Sequence, residues 1–244
     1  MLVLADFDGT LAPIRPRPDQ ARLSPRFRAL LRQLARRDGL ILGVVSGRSI
    51  TTLRRLIRVP GLVYAGNHGL ELEGRGFRFV LPAAERSAPA LRQIARQLRR
   101  ALRDVPGAIV ESKELSLSVH SRAVSPALAR VFHRRLRDIL GPWARRGQVQ
   151  LTRGHGVVEI RPPVAWHKGS AVEWLRRRLK VPGTRVVYFG DDRTDEDAFR
   201  AVNRIGGMSV RVGPGPSAAA WRLRGPADVE RLLAKLRALP WNNK

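Results

Sequence analysis

The pattern of apolar and polar residues predicts short buried strands that alternate with amphipathic helices in the first part of the chain. Leu2 to Ala5, Leu40 to Val45 and Leu62 to Ala65 are three nearly continuous apolar runs. Helical patterns separate them, beginning at Ser24-Pro25 and at about Ile50. Apolar runs of this length are typical of strands that are covered on both faces in a parallel sheet. The order of elements therefore predicts a doubly wound α/β core.

The pattern changes between about residues 82 and 159. Two arginine-rich helical stretches are each followed by residues that alternate between apolar and polar, which indicates strands with one exposed face. The helical stretches cover about 84–104 and 126–141, and the alternating segments cover 114–120 and 149–160.

From Lys168 the first pattern resumes, with a helix to Leu179 and an apolar strand at 185–189. We therefore expect a parallel-sheet core formed by residues 1–81 and 160–244, with an α+β domain of residues 82–159 inserted into it.

The charge balance is strongly basic: the 244 residues include 46 basic and 20 acidic side chains, a net charge of +26. Such an excess raises nucleic acid as a partner. The arginines, however, are scattered along helical faces with few aromatic residues between them to stack on bases. We interpret them as a solvent-exposed surface that attracts anionic ligands, and the sequence argues against a nucleic-acid partner.

Several classes of protein are excluded by what the sequence lacks. There is no cysteine, so the chain has neither a disulfide framework nor a thiolate metal site. Asp6 and Asp8 interrupt the first apolar run, which argues against a signal peptide, and no stretch reaches the length of a membrane-spanning helix. We expect a cytoplasmic, monomeric protein that makes no membrane contact and acts as a separate polypeptide.

Side chains suited to phosphoryl transfer follow several of the predicted strands. Asp6 and Asp8 follow the first strand, Ser46 follows the second, and Asp191 follows the strand at 185–189. Because the carboxyl ends of parallel strands meet at one edge of the sheet, we expect these side chains to lie close together.

Each of these side chains can take one part in the chemistry. Asp6 can attack phosphorus as a nucleophile, and Asp8 can act as general acid and then general base. Asp6 and Asp191 offer the oxygen ligands that magnesium prefers. Ser46 can bind a phosphate oxygen, and Lys168 can place a compact positive charge beside the phosphoryl group.

The motifs that contain these residues resemble a known superfamily. The four segments Asp6 to Leu11, Ser46-Gly47-Arg48, Lys168-Gly169 and Gly190 to Asp197 are similar, in order, to the four motifs of the haloacid dehalogenase superfamily. More narrowly, the chain resembles the trehalose-6-phosphate phosphatase family at Gly66 to Gly69, Glu111 to Lys113, His120 to Arg122 and Val158 to Pro162. The resemblance covers nearly the whole chain.

This resemblance implies a phosphatase of a phosphorylated disaccharide, trehalose 6-phosphate. It implies that magnesium is held by Asp6, the main-chain carbonyl of Asp8 and Asp191, with Asp195 in or just outside the coordination shell. It also implies that the insertion is a cap that closes over the site. The residues that we expect to bind the substrate are Arg48, Asn67, His68, Glu111, Lys113, His120, Arg122 and Glu159.

Other functions remain open at this point. Sucrose 6-phosphate or a glycosyl-phosphoglycerate could be the substrate of the same core chemistry, and a mutase would use the same core but retain the phosphate on the sugar. A nucleic-acid-binding protein built on the same fold is an alternative of another class. A regulatory protein without turnover is a further alternative, although the four motifs are intact.

Overall fold

The computed structural model describes residues 1–15, 18–154 and 156–238, and these residues form two compact units. The larger unit is Met1–Phe79 with Trp166–Lys244, and the smaller unit is Val80–Ala165. The chain thus crosses between the units at 79/80 and 165/166, whereas the sequence indicated 81/82 and 159/160. The second difference arises because the last strand of the smaller sheet continues to Arg161.

The strands and helices alternate as follows. The strands are β1 Leu2–Ala5, β2 Ile41–Val45, β3 Val63–Gly66, β4 Glu71–Gly74, β5 Phe77–Val80, β6 Ile109–Ser112, β7 Leu117–His120, β8 Gln150–Gly154, β9 Val157–Arg161, β10 Val186–Gly190, β11 Met208–Val212 and β12 Trp221–Leu223. The helices are α1 Pro25–Leu34, α2 Ile50–Ile57, α3 Pro82–Ala101, α4 Pro126–Arg145, α5 Lys168–Arg178, α6 Glu196–Arg204 and α7 Pro226–Ala238.

The sheet of the larger unit has the strand order β12-β11-β10-β1-β2-β3-β4-β5. The strands from β12 to β3 pair in parallel, and β4 is antiparallel to β3. In β1, Leu2 and Leu4 pack into one apolar cluster and Val3 and Ala5 into another, because successive side chains of a strand point to opposite faces. Both faces are therefore covered, which confirms the predicted doubly wound α/β core.

The smaller unit contains a four-stranded antiparallel sheet in the order β6-β7-β9-β8. Leu117, Val119 and Ile160 of this sheet pack with Ile94 and Phe132 from α3 and α4 in a separate apolar cluster. Ser118 and Glu159, which alternate with them along β7 and β9, are polar and lie on the opposite face. The smaller unit thus has the α+β composition that the alternating pattern predicted.

Two segments differ from the strands that the sequence indicated. The segment 149–160 forms a hairpin of two strands, because the chain turns at Gly156, whose φ is +69°. The segment 114–120 begins with a turn at Glu114, whose φ is +68°, so β7 starts only at Leu117. No helix in the described ranges is both long and apolar enough to cross a membrane.

Candidate active site

The first candidate residue, Asp6, lies directly after the central strand of the larger sheet. Its main-chain N–H donates to the carbonyl of Phe189 at 2.8 Å, so the pairing of β1 with β10 continues to the start of the loop. Asp6 is buried, and its side chain is only 8% exposed. A carboxylate at this depth requires nearby positive charge or hydrogen-bond donors.

Lys168 supplies that positive charge from the first turn of α5. Its Nζ lies 3.0 Å from Asp6 Oδ1 and 2.7 Å from Asp195 Oδ1. The helix begins here because the His167 side chain caps it, accepting a hydrogen bond from the main-chain N–H of Ser170. At Gly169 a Cβ atom would meet the carbonyl oxygen of Asp197 at 2.3 Å, so glycine permits the helix start to approach the neighbouring chain this closely.

The buried carboxylate of Asp195 organises the loop after β10. Its Oδ2 accepts hydrogen bonds from the main-chain N–H groups of Asp191 and Asp192, at 3.1 and 3.0 Å. Its Oδ1 accepts from Lys168 and from the Tyr188 hydroxyl, at 2.7 and 2.6 Å. Both oxygens therefore already have two donors each, which favours a position for Asp195 just outside a metal coordination shell.

Asp191 faces the loop that carries Asp6. The Thr10 hydroxyl donates to Asp191 Oδ1 at 3.0 Å. Gly9 has a φ of +83°, and a Cβ atom there would meet Asp191 Oδ2 at 2.0 Å. Glycine is thus needed at this position both for the turn and for the space that the carboxylate takes.

Oxygen atoms of Asp6, Asp191 and Asp195 all lie within 4.8 Å of one another. An oxygen-only cluster of carboxylates is the donor set that suits magnesium, a hard cation. Among the hydrogen bonds described above, Asp191 accepts from a side chain only at Oδ1. In Asp6, Oδ1 is the oxygen that contacts Lys168. These residues fit the magnesium ion that the family resemblance implies.

Crowding of these carboxylates changes their pKa values. Burial raises the pKa of Asp6 well above its usual value; Lys168 opposes this rise, and the neighbouring carboxylates add to it. Burial, with the charge of Asp195, raises the pKa of Asp191 to about 7. Burial alone would lower the pKa of Lys168, but the ion pairs with Asp195 and Asp6 outweigh it, so that pKa is raised. Without a metal, the pKa of the Asp191 carboxyl therefore lies near neutral pH.

Asp8, the predicted general acid, is held by Arg48. The Arg48 Nε and Nη2 atoms donate to the two oxygens of the Asp8 carboxylate, at 2.6 and 2.8 Å. The guanidinium also lies over the Phe7 ring, 5.5 Å from its centroid. Arg48, expected as a substrate-binding residue, is thus 8% exposed and bound to Asp8.

Ser46, Asn67 and His68 lie on the adjoining loops after β2 and β3. The main-chain N–H groups of Asn67 and His68 donate to the carbonyls of Arg48 and Ser46, both at 2.8 Å, so the two loops are joined. Glu71 Oε1 accepts from Asn67 Nδ2 at 2.7 Å and from the N–H of Ile50 at 2.9 Å. All three predicted residues are buried, with Ser46 2% exposed.

The other predicted substrate residues lie on the polar face of the smaller sheet. Glu111, Ser118 and Glu159 oppose one another across β6, β7 and β9, so they share one face. Lys113 Nζ lies 3.2 Å from Glu159 Oε1, and His120 Nε2 lies 2.9 Å from Glu111 Oε2.

Arg122, the last of these residues, is exposed and lies against the turn at Gly156, where a Cβ atom would meet Arg122 Cγ at 2.5 Å. The smaller unit thus brings Glu111 together with His120 and Lys113 together with Glu159. Arg122 belongs to the turn beside this sheet.

Four further polar residues complete these networks and were not predicted from the sequence. They are Thr10, Glu71, Ser118 and Tyr188, which bond Asp191, Asn67, Glu159 and Asp195 respectively; the Ser118 hydroxyl donates to Glu159 Oε1 at 2.6 Å. Tyr188 could have been identified from the sequence, because a buried tyrosine in an otherwise apolar strand needs a hydrogen-bond partner for its hydroxyl. Ser118 stands in an alternating segment that gave no such indication, and Glu71 follows the third predicted strand without one.

Comparison with known proteins points in one direction. The family model described as trehalose-phosphatase matches residues 4–227. Trehalose-phosphate phosphatase B of Arabidopsis thaliana is 33% identical over 263 residues, which cover 100% of this chain and 67% of the relative.

Two solved structures share the fold. One is described as a trehalose-6-phosphate phosphatase related protein, with a TM-score of 0.83 and 24% identity over 98% of this chain and 97% of that chain. The other is the C-terminal domain of trehalose-6-phosphate phosphatase from C. albicans, with a TM-score of 0.80 and 24% identity over 98% of this chain and 92% of that chain.

Gly9→Ala is expected to lower magnesium affinity strongly, because the new methyl group overlaps the Asp191 carboxylate. Gly76→Ala is the matched control, since Gly76 has a similar φ of +79° but no atom within 4 Å of a Cβ. Both variants carry the backbone strain of alanine at positive φ, about 1 kcal/mol of stability. Isothermal titration with Mg²⁺ measures the difference; equal affinities in the two variants would contradict the assigned position of Asp191.

Magnesium is expected to raise the melting temperature more at about pH 8 than at about pH 5.5. The raised pKa values of Asp6 and Asp191 mean that the folded, metal-free chain binds protons that the unfolded chain has released. Its stability from these groups therefore falls as pH rises through about 7. Bound Mg²⁺ takes the place of these protons and so prevents this loss of stability.

Thermal melts with Mg²⁺ and with a chelator, at both pH values, test this linkage. Asp191→Asn should reduce the pH dependence of the magnesium effect, because only Asp6 then keeps a raised pKa, whereas Asp138→Asn, at an exposed residue of α4, should preserve it. An equal magnesium effect at both pH values would show that the carboxylates are not coupled to the metal.

Proposed function

This chain belongs to the trehalose-phosphatase family of phosphoric monoester hydrolases, and we propose that it hydrolyses trehalose 6-phosphate to trehalose and phosphate through a phosphorylated Asp6. The observation that carries this proposal is the buried carboxylate of Asp6 beside the Lys168 ammonium, 3.0 Å away, with the Asp191 and Asp195 carboxylates in the same cluster. A nucleophile, a fixed cation and an acidic metal site are the components that phosphoryl transfer requires.

In the first step, an oxygen of Asp6 attacks phosphorus and the bond from phosphorus to the sugar oxygen breaks. Asp8 gives its proton to the departing sugar oxygen, so neutral trehalose leaves. Lys168 holds the other Asp6 oxygen and thereby aims the attacking one. Ser46 and the main-chain N–H groups that follow it can bind the equatorial phosphate oxygens.

In the second step, water attacks the phosphorus of the aspartyl phosphate. Asp8, now a carboxylate, takes a proton from that water, and the bond between phosphorus and Asp6 breaks. Asp6 returns to its carboxylate form and inorganic phosphate is released. The two steps use the same acid–base group in opposite directions.

Magnesium supplies charge neutralisation for the phosphoryl group when it is bound. We propose that Asp6, the main-chain carbonyl of Asp8 and Asp191 hold it. Asp195 would act from outside the coordination shell, because its two oxygens already accept from main-chain N–H groups, Lys168 and Tyr188.

Arg48 restrains the proposed general acid. Its two hydrogen bonds hold both oxygens of Asp8, so one of them must open before that oxygen can carry a proton. The pair therefore keeps the Asp8 side chain in one orientation between turnovers. We propose that Arg48 positions Asp8 rather than binding the sugar.

We propose that the smaller unit is the cap and that its polar sheet face binds the disaccharide. Glu111 and Glu159 can accept hydrogen bonds from sugar hydroxyls, and Lys113 and His120 can donate them. The Lys113 ammonium already pairs with Glu159 on this face, and His120 hydrogen-bonds to Glu111, so both carboxylates are held in place before the sugar arrives. Many short polar groups on a rigid sheet suit a ligand with many hydroxyls.

Phosphate release from trehalose 6-phosphate, sucrose 6-phosphate, glucose 6-phosphate and nitrophenyl phosphate, with and without Mg²⁺, tests the function. Trehalose 6-phosphate is expected to have the highest kcat/KM, and chelation is expected to remove the activity. Asp6→Asn should lower kcat by at least about a thousandfold, because the nucleophile is lost.

Asp138→Asn is the matched control, since it makes the same chemical change at an exposed site and should leave the rate unchanged. Preference for another sugar phosphate would retain the mechanism and reject the substrate. Full activity in Asp6→Asn would reject the mechanism.

Glu159→Gln tests the cap assignment. The change should raise KM for trehalose 6-phosphate by about tenfold, because one charged hydrogen-bond acceptor is lost, and leave kcat/KM for nitrophenyl phosphate unchanged. Glu114→Gln is the control, since Glu114 is an exposed residue at a turn of the same unit. If both substrates are affected equally, Glu159 supports the fold of the unit and does not select the sugar.

A further inference from the structure

The arginines of the smaller unit are concentrated on the exposed sides of its two helices. The exposed arginines on α3 and the residues after it are Arg86, Arg92, Arg96, Arg99, Arg100 and Arg103. Those on α4 and its end are Arg130, Arg134, Arg137, Arg145 and Arg146. The exposed acidic residues of the same two segments are Glu85, Asp104 and Asp138, so the surface is strongly positive. We name it the helical face.

A groove of about 850 Å³ runs along the helical face between α3 and α4. Arg100 lines it from α3, and Arg146 lines it from the end of α4. Within the described ranges, neither side chain forms a hydrogen bond or ion pair with a protein group. Two guanidinium groups are thus available to bind an anion in the groove.

The groove is also lined by an aromatic side chain, that of Trp143. Trp143 lines it together with Ile139 and Pro142, and the Trp143 Nε1 atom donates to Gln97 Oε1 at 3.4 Å. The indole is half-buried, so part of its surface faces the groove. Arg135 forms part of the lining, where it is paired with Asp104 and donates to the carbonyl of Ala101 at 2.7 Å.

The helical face is separate from the proposed sugar-binding face of the same unit. The sides of α3 and α4 that contain Ile94 and Phe132 pack on the apolar face of the sheet, and Glu111 and Glu159 lie on the other face of that sheet. The arginines therefore cannot reach the residues that we assign to the sugar. Their concentration on α3 and α4 is not explained by the hydrolysis of a sugar phosphate.

We propose that the helical face binds single-stranded nucleic acid, with phosphates on the arginines and a base stacked on Trp143. Arginine binds phosphate oxygens with two parallel hydrogen bonds, and sequence-tolerant stacking on an aromatic ring is the common means of holding unpaired bases. From Arg86 to Arg103 the arginine row is about 25 Å long, which is enough for several nucleotides. The sequence argued against nucleic acid because its arginines are dispersed, but the fold places Arg100, Arg103 and Arg146 at one groove that also contains Trp143.

Two features favour a single strand over other polyanions. In an acidic peptide the negative charges are not accompanied by aromatic rings, so nothing in it would stack on Trp143. A duplex keeps its bases stacked inside, so its phosphates could reach the arginines but its bases could not reach the indole. The groove between two helices is also lined by apolar atoms of Ile139 and Pro142, which suit the face of a base.

Binding of a fluorescent single-stranded oligonucleotide of about 15 nucleotides, followed by anisotropy at several salt concentrations, tests the proposal. A duplex of the same sequence and polyglutamate of equal charge are the comparison ligands. The single strand is expected to bind most tightly, with a slope of log K against log salt of about −3. Equal binding of all three ligands would overturn the proposal, because it would reflect the net charge alone.

Three variants locate the site. Arg100→Gln with Arg146→Gln should weaken single-strand binding about tenfold, and Trp143→Leu should weaken it about fivefold by removing the stacking surface. The control, Arg75→Gln with Arg78→Gln, removes the same charge from exposed positions of the larger unit. It should weaken binding by less than about twofold, because only diffuse electrostatic attraction is lost. Equal losses in the groove pair and this control pair would overturn the proposal.

Phosphate release distinguishes this proposal from the proposed enzymatic function. The groove variants should retain the rate of the unmodified chain, because none of these residues belongs to the catalytic cluster, and that rate also verifies folding. Nucleic-acid binding without phosphatase activity would leave the helical face proposal intact and reject only the enzymatic one.

Discussion

The candidate site depends on one buried ammonium group, that of Lys168. Three carboxylates, those of Asp6, Asp191 and Asp195, are gathered at the end of the central strand, and such a cluster is unfavourable without positive charge. Lys168 contacts two of them and is itself 3% exposed, so removing its charge would leave buried acids without compensation. The start of α5, its His167 cap and the close approach at Gly169 all serve to hold this ammonium in place. The negative charge of the three carboxylates that Lys168 does not balance suits a divalent cation.

Much of this arrangement could be predicted from the sequence, because each element is signalled locally. The apolar run before Asp6 identified a strand covered on both faces, and that strand lies at the centre of the sheet. The topology rule that carboxyl ends of parallel strands converge then brought Asp6 and Asp191 together, although they are far apart in the chain. The hairpin at 150–161 was predicted as one segment, and β4 and the edge strand β5 were not predicted, because short strands with mixed burial have no distinct period.

The contacts between side chains could not be predicted in the same way. The family resemblance assigned Arg48 to substrate binding, but in the fold its guanidinium donates to both oxygens of Asp8. Glu71 carries no distinctive signal in the sequence, but in the fold it accepts hydrogen bonds from both the Asn67 amide and the N–H of Ile50. Such partners depend on distances between different loops, which residue types and spacing do not contain. For the same reason the arginines of α3 and α4 appeared dispersed until the two helices were placed side by side.

The position of β1 between β2 and β10 has a consequence for synthesis of the chain. On the ribosome, Asp6 emerges long before Lys168, and β1 emerges long before β10. Until the later segments appear, one hydrogen-bonding edge of β1 has no partner and the carboxylate at its end has no countercharge. An unpaired strand edge invites pairing with other chains. The nascent chain is thus open to misassembly at β1, the strand that precedes Asp6, until β10 has been synthesised.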